Sequence, residues 1–274
     1  MPFYATEGCR KRETIAMEQR TLGRTGLRVG PIGMAASYGV PAAAVERAFE
    51  CGVNYLYWGT LRRGRFGQAL RNLKPRRERM ALVMQSYSRV AALVRPSVEI
   101  ALRKLNFEYA DVLLLGLWNR KPPPRIMDAC RRLRERGLIR HIAISTHHGP
   151  LVSELAADPD FGIVHVRYNA VHKGAEREVF PLLASSSNPV GLVAFTATSW
   201  KQLLDPKRIP PGERVPTASD CYRFVLSNPA IDVCMTGPAN ESQAVEAVRA
   251  IEMGPMNEEE LAWMRRVGDH IHKH

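Results

Sequence analysis

Gly137-Leu-Ile-Arg-His-Ile-Ala-Ile-Ser-Thr146 is the stretch whose reading decides the fold. Asp128 to Arg136 leads into it as a basic helix. Gly137 falls where a helix C-terminus favours a residue that tolerates positive φ. Leu138 to Ile144 is apolar and β-branched, short enough for a strand buried on both faces. Ser145, Thr146, His147 and His148 follow, then Gly149-Pro150. A buried parallel strand that stops in hydroxyls and histidines carries polar groups to its carboxyl end, where ligands sit in α/β folds.

The same alternation extends to both sides. Before it, strands are predicted over Pro31–Ala36, Val53–Trp58, Met80–Ser86 and Asp111–Leu117. Helices are predicted between them over Pro41–Cys51, Arg65–Leu73, Val90–Leu105 and Pro124–Arg136. After it come a helix over Leu151–Ala157, a strand over Gly162–Tyr168 and a helix over Ala175–Ser185. A strand over Val190–Thr196 follows, then a long polar connection rich in Pro and Gly and a helix over Pro216–Ser227. Ala230–Thr236 is the last strand. Glu241–Ile251 is its helix, and Asn257 opens a terminal helix with three glutamates in its first turn, where acidic groups suit the helix dipole. Arg24-Thr25-Gly26 marks a hairpin before the first strand.

Eight strand–helix units predict a closed (β/α)8 TIM barrel, an α/β fold, with an N-terminal β-hairpin closing its bottom and an extra C-terminal helix. No G-x-G-x-x-G follows the first strand, which argues against a Rossmann domain. Any site must then be built at the strands' carboxyl ends. Residues 17–274 read as one barrel. Residues 1–16 read as a disordered leader without an apolar core of the signal-peptide kind, and Met17 offers a second start.

The chain has 274 residues, 45% of them hydrophobic, which suffices for a large core. No apolar run is long enough to span a membrane. The five cysteines are scattered and form no C-x-x-C pair, so a reduced, cytoplasmic protein is expected. The net charge of +12 raises nucleic-acid binding as a third reading, with steep salt dependence. The basic residues lack a stripe interleaved with aromatics, so no nucleic-acid partner is expected. The run Lys74 to Arg79 reads as a solvated face.

Several segments in order are similar to the aldo-keto reductase superfamily. Glu18 to Val29 resembles its opening hairpin, and Gly52-Val-Asn-Tyr-Leu the approach to its second strand. Tyr109-Ala-Asp-Val-Leu-Leu-Leu resembles the fourth strand and Gly137 to Ser145 the fifth. Arg167-Tyr-Asn-Ala-Val-His resembles the end of the sixth, and Glu178-Val-Phe-Pro-Leu-Leu its helix. Met235-Thr-Gly-Pro-Ala-Asn-Glu-Ser-Gln resembles the phosphate-binding loop after the eighth. The resemblance covers essentially everything from Met17 on. It implies reduction of carbonyls with NADPH by an Asp, a proton-donating Tyr, a Lys and a His.

All four of those positions differ in this chain. Tyr57 stands for the Asp, Arg62 or Arg63 for the Tyr, Gln85 for the Lys and Gly116 for the His. A tyrosine of unperturbed pKa ~10 is a poor acid at neutral pH unless a cation lowers it. The candidate catalytic residues are therefore Tyr57, with Arg62 or Arg63 beside it, Gln85 and His165. Tyr57 as acid stands against Tyr57 as an aromatic that fills space.

The resemblance also implies the cofactor residues. Ser145 and Thr146 fall where a Ser-Asn pair holds the nicotinamide carboxamide. His165 falls on a Gln that contacts it, and a His there titrates readily. Phe195, followed by Thr196, falls on the Tyr that stacks on the nicotinamide. Gly237 and Pro238 fall on the phosphate loop. Gln243 stands where many members place an Arg on the 2′-phosphate, so NADP and NAD both stay open, with Lys201, Lys207 or Arg208 as replacement charges. His147, His148, His165 and His172 match no standard ligand spacing, so no metal is expected. Trp58, Trp118 and Trp200 read either as an aromatic substrate pocket or as loop packing. The leading function is an NAD(P)H-dependent oxidoreductase on a carbonyl or alcohol substrate. The alternative is a catalytically silent NAD(P)-binding homologue.

Overall fold

Alternate residues of each strand face opposite sides, and here both sides are apolar. The computed structural model describes residues 18–59 and 63–273. The expected leader and Arg62 lie outside them. Eight parallel strands follow in chain order: β1 (Ile32–Ala35), β2 (Tyr55–Trp58), β3 (Ala81–Gln85), β4 (Ala110–Leu117), β5 (Ile139–Thr146), β6 (Phe161–Arg167), β7 (Gly191–Phe195) and β8 (Val233–Thr236). Each pairs with the next, and Cys234 of β8 pairs with Ile32 of β1, closing the barrel.

Inward residues such as Tyr55, Val83, Val112, Ile163 and Val193 form one buried cluster. Outward residues such as Leu56, Leu82, Leu113, Ile144 and Val164 form a second, larger one with the surrounding helices. These helices are α1 (Ala42–Glu50), α2 (Gly64–Asn72), α3 (Ala91–Leu105), α4 (Pro124–Glu135), α5 (Gly149–Ala157), α6 (Ala175–Glu178), α7 (Phe180–Ala184), α8 (Ala218–Leu226), α9 (Glu241–Glu252) and α10 (Glu258–Lys273). Gly137 ends the turn after α4 at φ 72°, as its place in the sequence requires.

The hairpin pairs Arg20–Thr21 with Arg28–Val29. Its Leu22 and Val29 are fully buried and join the interior cluster. Arg24 donates to the carbonyls of Ala156, Asp158 and Phe161 at 2.9, 2.6 and 3.0 Å. Arg20 reaches the Ile231 carbonyl at 3.1 Å. These acceptors lie before β6 and β8, so the hairpin covers the strands' amino-terminal end and leaves the carboxyl end open.

Three details differ from the sequence reading. β5 runs through Ser145 and Thr146, because Leu117, His165 and Val166 continue the ladder beside them. The helix expected over Ala175–Ser185 breaks at Val179 (φ −122°, ψ −55°). Pro181 has no N–H for the ladder, so α7 restarts with the proline in its first turn. The run Lys74 to Arg79 is not wholly a solvated face. Arg77 is 12% exposed and pairs at 2.8 Å with Asp111, which is 1% exposed. Asp111 also accepts from Leu82 N, so this pair ties the turn before β3 to β4. Burial still pushes the Asp111 carboxyl above its usual range, against the pull of Arg77.

Among the described residues, Cys130, Cys221 and Cys234 are buried free thiols, and no helix is long and apolar enough to cross a membrane.

Candidate functional site

The inward-facing residues nearest the carboxyl ends open into a cleft of about 920 Å3. That is the size of a cofactor-plus-substrate site. Tyr57, Gln85, Ser145, His165 and Phe195 line it from β2, β3, β5, β6 and β7. Thr196, Lys201, Gly237, Pro238 and Gln243 line it from the segments after β7 and β8. Thr146 does not reach it. Successive strand residues alternate, so Thr146 points outward, 1% exposed, and its Oγ1 accepts from His148 N at 3.0 Å.

At the centre, the Tyr57 hydroxyl donates to Gln85 Oε1. Burial, and then the neighbouring Tyr87 phenol that hydrogen-bonds it, push the Tyr57 pKa up rather than down. Arg63, one of the two cations expected to lower it, turns away. Its guanidinium lies 4.2 Å over the Trp58 ring and donates to Gly59 O at 3.1 Å. Tyr57 is therefore a neutral phenol at ordinary pH.

Beneath it, His165 is 3% exposed and shares a 2.8 Å hydrogen bond with Tyr55 Oη. Burial pushes its pKa down to about 3. The residue expected to titrate is instead a fixed neutral imidazole with one ring nitrogen already engaged.

Tyr87 is the residue that the sequence did not single out. It follows β3 and is 55% exposed in the cleft wall. Its ring lies where a side chain on Gly116 would stand, 2.7 Å from a β-carbon built there, and Gly116 has φ 77°. A residue with a side chain at 116 would clash and be strained, so the glycine admits the tyrosine. Its one sequence signal is its place two residues past a strand end.

The end of the cleft at Phe195 is aromatic. His147 stacks on Phe195 with centroids 5.5 Å apart and planes at 29°. The segment after β7 is strained. Among the described residues, every non-glycine with positive φ except Asn106 lies here: Thr196, Ser199, Trp200 and Lys201. Such a run persists only where surrounding contacts hold it, as the 2.8 Å bond from Asn169 Nδ2 to Thr196 O does. At the far end, Gln243 Oε1 accepts from Ala239 N at 2.8 Å, and Glu246 accepts from Ala218 N at 3.0 Å. Lys201 lines the cleft; Lys207 and Arg208 do not.

Of the three tryptophans, only Trp200, 54% exposed, lines the cleft. Trp58 and Trp118 are buried packing residues, 5% and 8% exposed. Arg89 covers Trp118 at 3.6 Å, as Arg63 covers Trp58.

The Aldo/keto reductase family model matches residues 41–214, more than half of the chain. The chain belongs to the aldo/keto reductase family. Among curated relatives of this family, L-galactose dehydrogenase from Arabidopsis thaliana is 24% identical over 86% of this chain and 88% of its own. An aldo-keto reductase from Bacillus halodurans, in its holo form, superposes with a TM-score of 0.75 at 22% identity. That match covers 92% of this chain and 96% of the other. An aldo/keto reductase from Klebsiella pneumoniae, in complex with NADP and acetate, gives a TM-score of 0.74 at 19% identity, over 90% and 94%.

Proposed function

We propose that the protein is an NAD(P)H-dependent oxidoreductase acting on a carbonyl or alcohol substrate, with a neutral tyrosine as its acid group. The observation that carries this reading is that one cleft gathers the cofactor candidates Ser145, Phe195, Thr196, Gly237 and Pro238 around Tyr57. The family and its NADP-complexed member support a nicotinamide ligand.

The cleft fits such a ligand. The His147–Phe195 stack offers a flat face for a nicotinamide ring. The Ser145 hydroxyl faces the cleft for the carboxamide, and Lys201 stands ready for a phosphate. When bound, the reduced nicotinamide supplies a hydride. Tyr57 and Tyr87 then offer two phenol groups to the oxygen on which negative charge develops. A phenol proton passes to that oxygen, and water restores it. Without a lysine beside Tyr57, this transfer is slower than in a site where a cation lowers the phenol's pKa. The buried free thiols of Cys130, Cys221 and Cys234 suit a reducing compartment, and we place the protein in the cytoplasm.

The second reading, a silent NAD(P)-binding protein, is favoured by the raised Tyr57 pKa. Titration with NADPH and NADH, followed by quenching of Trp200 fluorescence, tests both. Saturable binding is expected. Turnover of an aldehyde panel, lost in Tyr57→Phe, establishes the enzyme. Binding without turnover establishes the silent reading, and no binding of either nucleotide defeats both.

A further inference from the structure

Behind His147 lies a second, smaller pocket of about 150 Å3. His147, His148, Arg167, His172 and Glu178 stand in its wall. Arg167 ends β6 half-buried. Among the described residues, it forms no hydrogen bond or ion pair with the protein; burial alone shifts it. Two carboxylates on the adjoining helices are committed elsewhere. Glu176 accepts both Arg265 terminal nitrogens at 2.8 and 2.9 Å, and Asp269 pairs with Lys173 at 2.6 Å. The third, Glu178, lies against Gly149, and among the described residues it has no ion pair.

A guanidinium carries five donors in a planar fork and no acceptor. Moved partly out of water without a partner, it loses hydration and gains nothing in return. The fork matches the oxygens of carboxylate and phosphate. Around it, His147 and His172 are both held neutral, by burial first and then by the charge of Arg167; the His172 pKa is pushed down to about 4. His272, 5.9 Å from His172, adds to the same effect. Neutral imidazoles donate to an anion without repelling Arg167. A metal does not suit the pocket: the arginine repels it, and among the described residues no three ligands converge.

We propose that this pocket binds a compact oxyanion, a phosphate or carboxylate group, on the fork of Arg167 with His147 and His172 beside it. The site is independent of the nicotinamide reading. It touches the main cleft through His147, which belongs to both walls and stacks on Phe195. The anion is therefore either free in solution or the acidic arm of a molecule seated in the cleft.

The test is calorimetric titration of the full chain with inorganic phosphate in chloride buffer at fixed ionic strength. Saturable one-site binding is expected. Arg167→Gln weakens it about 10–100-fold, the scale of a lost charge-assisted pair. Glu178→Gln tightens it, because a like charge leaves the wall. Arg167→Lys, which keeps the charge without the fork, gives an intermediate affinity and serves if the glutamine variant fails to fold. NADH quenching of Trp200 is read in parallel and stays unchanged in Arg167→Gln, so failure here is distinct from failure of the cofactor reading. Phosphate that competes with glyoxylate but not with a neutral aldehyde marks an acidic arm; phosphate that competes with neither marks a free anion. Absence of saturation at about 10 mM phosphate, or equal affinity in Arg167→Gln, overturns the proposal.

Discussion

Tyr55 Oη and His165 Nε2 meet 2.8 Å apart inside the barrel, joining β2 to β6 beneath the cleft. Tyr55 is fully buried and His165 is 3% exposed. Tyr55→Phe leaves the imidazole nitrogen unpaired and destabilises the fold by about 1–3 kcal/mol. Thermal melting measures it, and a change well below 1 kcal/mol would show that the bond contributes little.

The same imidazole sets an acid limit. Its pKa is 6.5 when unfolded and about 3 when folded. Between those values the unfolded chain takes up a proton that the folded one refuses. Stability is therefore full above that window and falls as pH drops through it, by up to about 1.4 kcal/mol per pH unit from this group. His141, pushed down to about 4, acts in the same direction. Replacing His165 with Gln flattens the slope of urea-unfolding free energy against pH.

Tyr57→Phe is expected to cut kcat by about 10²–10³ with nucleotide affinity unchanged, because only the developing oxyanion loses a partner. Tyr87→Phe, which removes a phenol from the same network, lowers kcat by a smaller factor. Steady-state kinetics beside fluorescence titration separates the two effects. An unchanged kcat in Tyr57→Phe would remove this tyrosine from the chemistry.

Arg77→Ala leaves the buried Asp111 carboxylate with only the 3.3 Å contact of the half-exposed Arg140 as its ion pair and costs about 3 kcal/mol. Arg77→Ala combined with Asp111→Asn recovers part of that loss, since the under-compensated buried charge is gone. Denaturant midpoints compare the three proteins.

Lys201→Ala weakens NADPH about 10-fold, the loss of one charge-assisted contact, and leaves NADH nearly untouched. Equal losses for both nucleotides would place Lys201 away from the 2′-phosphate.

The barrel was legible because both faces of its strands are apolar, as Val112 to Leu115 shows. The cleft's position followed, since the hydroxyls and loops after such strands have one end to occupy. Finer matters depended on direction and on distant partners. Ser145 and Thr146 are neighbours in sequence but face opposite sides. Arg77 looked solvated because its partner Asp111 belongs to another strand. Tyr87 was hidden because the room for its ring is a side chain that Gly116 lacks. The electrostatics of Tyr57 depend on where Arg63 turns, which a sequence does not record.

The hairpin's attachments also order events during synthesis. Arg20 and Arg24 leave the ribosome well before their carbonyl partners, which run from Leu155 to Ile231. At ~5–20 residues per second, the 211 positions between Arg20 and Ile231 take roughly 10–40 s to appear. Until then the nascent half-barrel exposes Leu22, Val29 and its own open strand edges. The floor of the barrel therefore cannot be fully sealed before Ile231 is made.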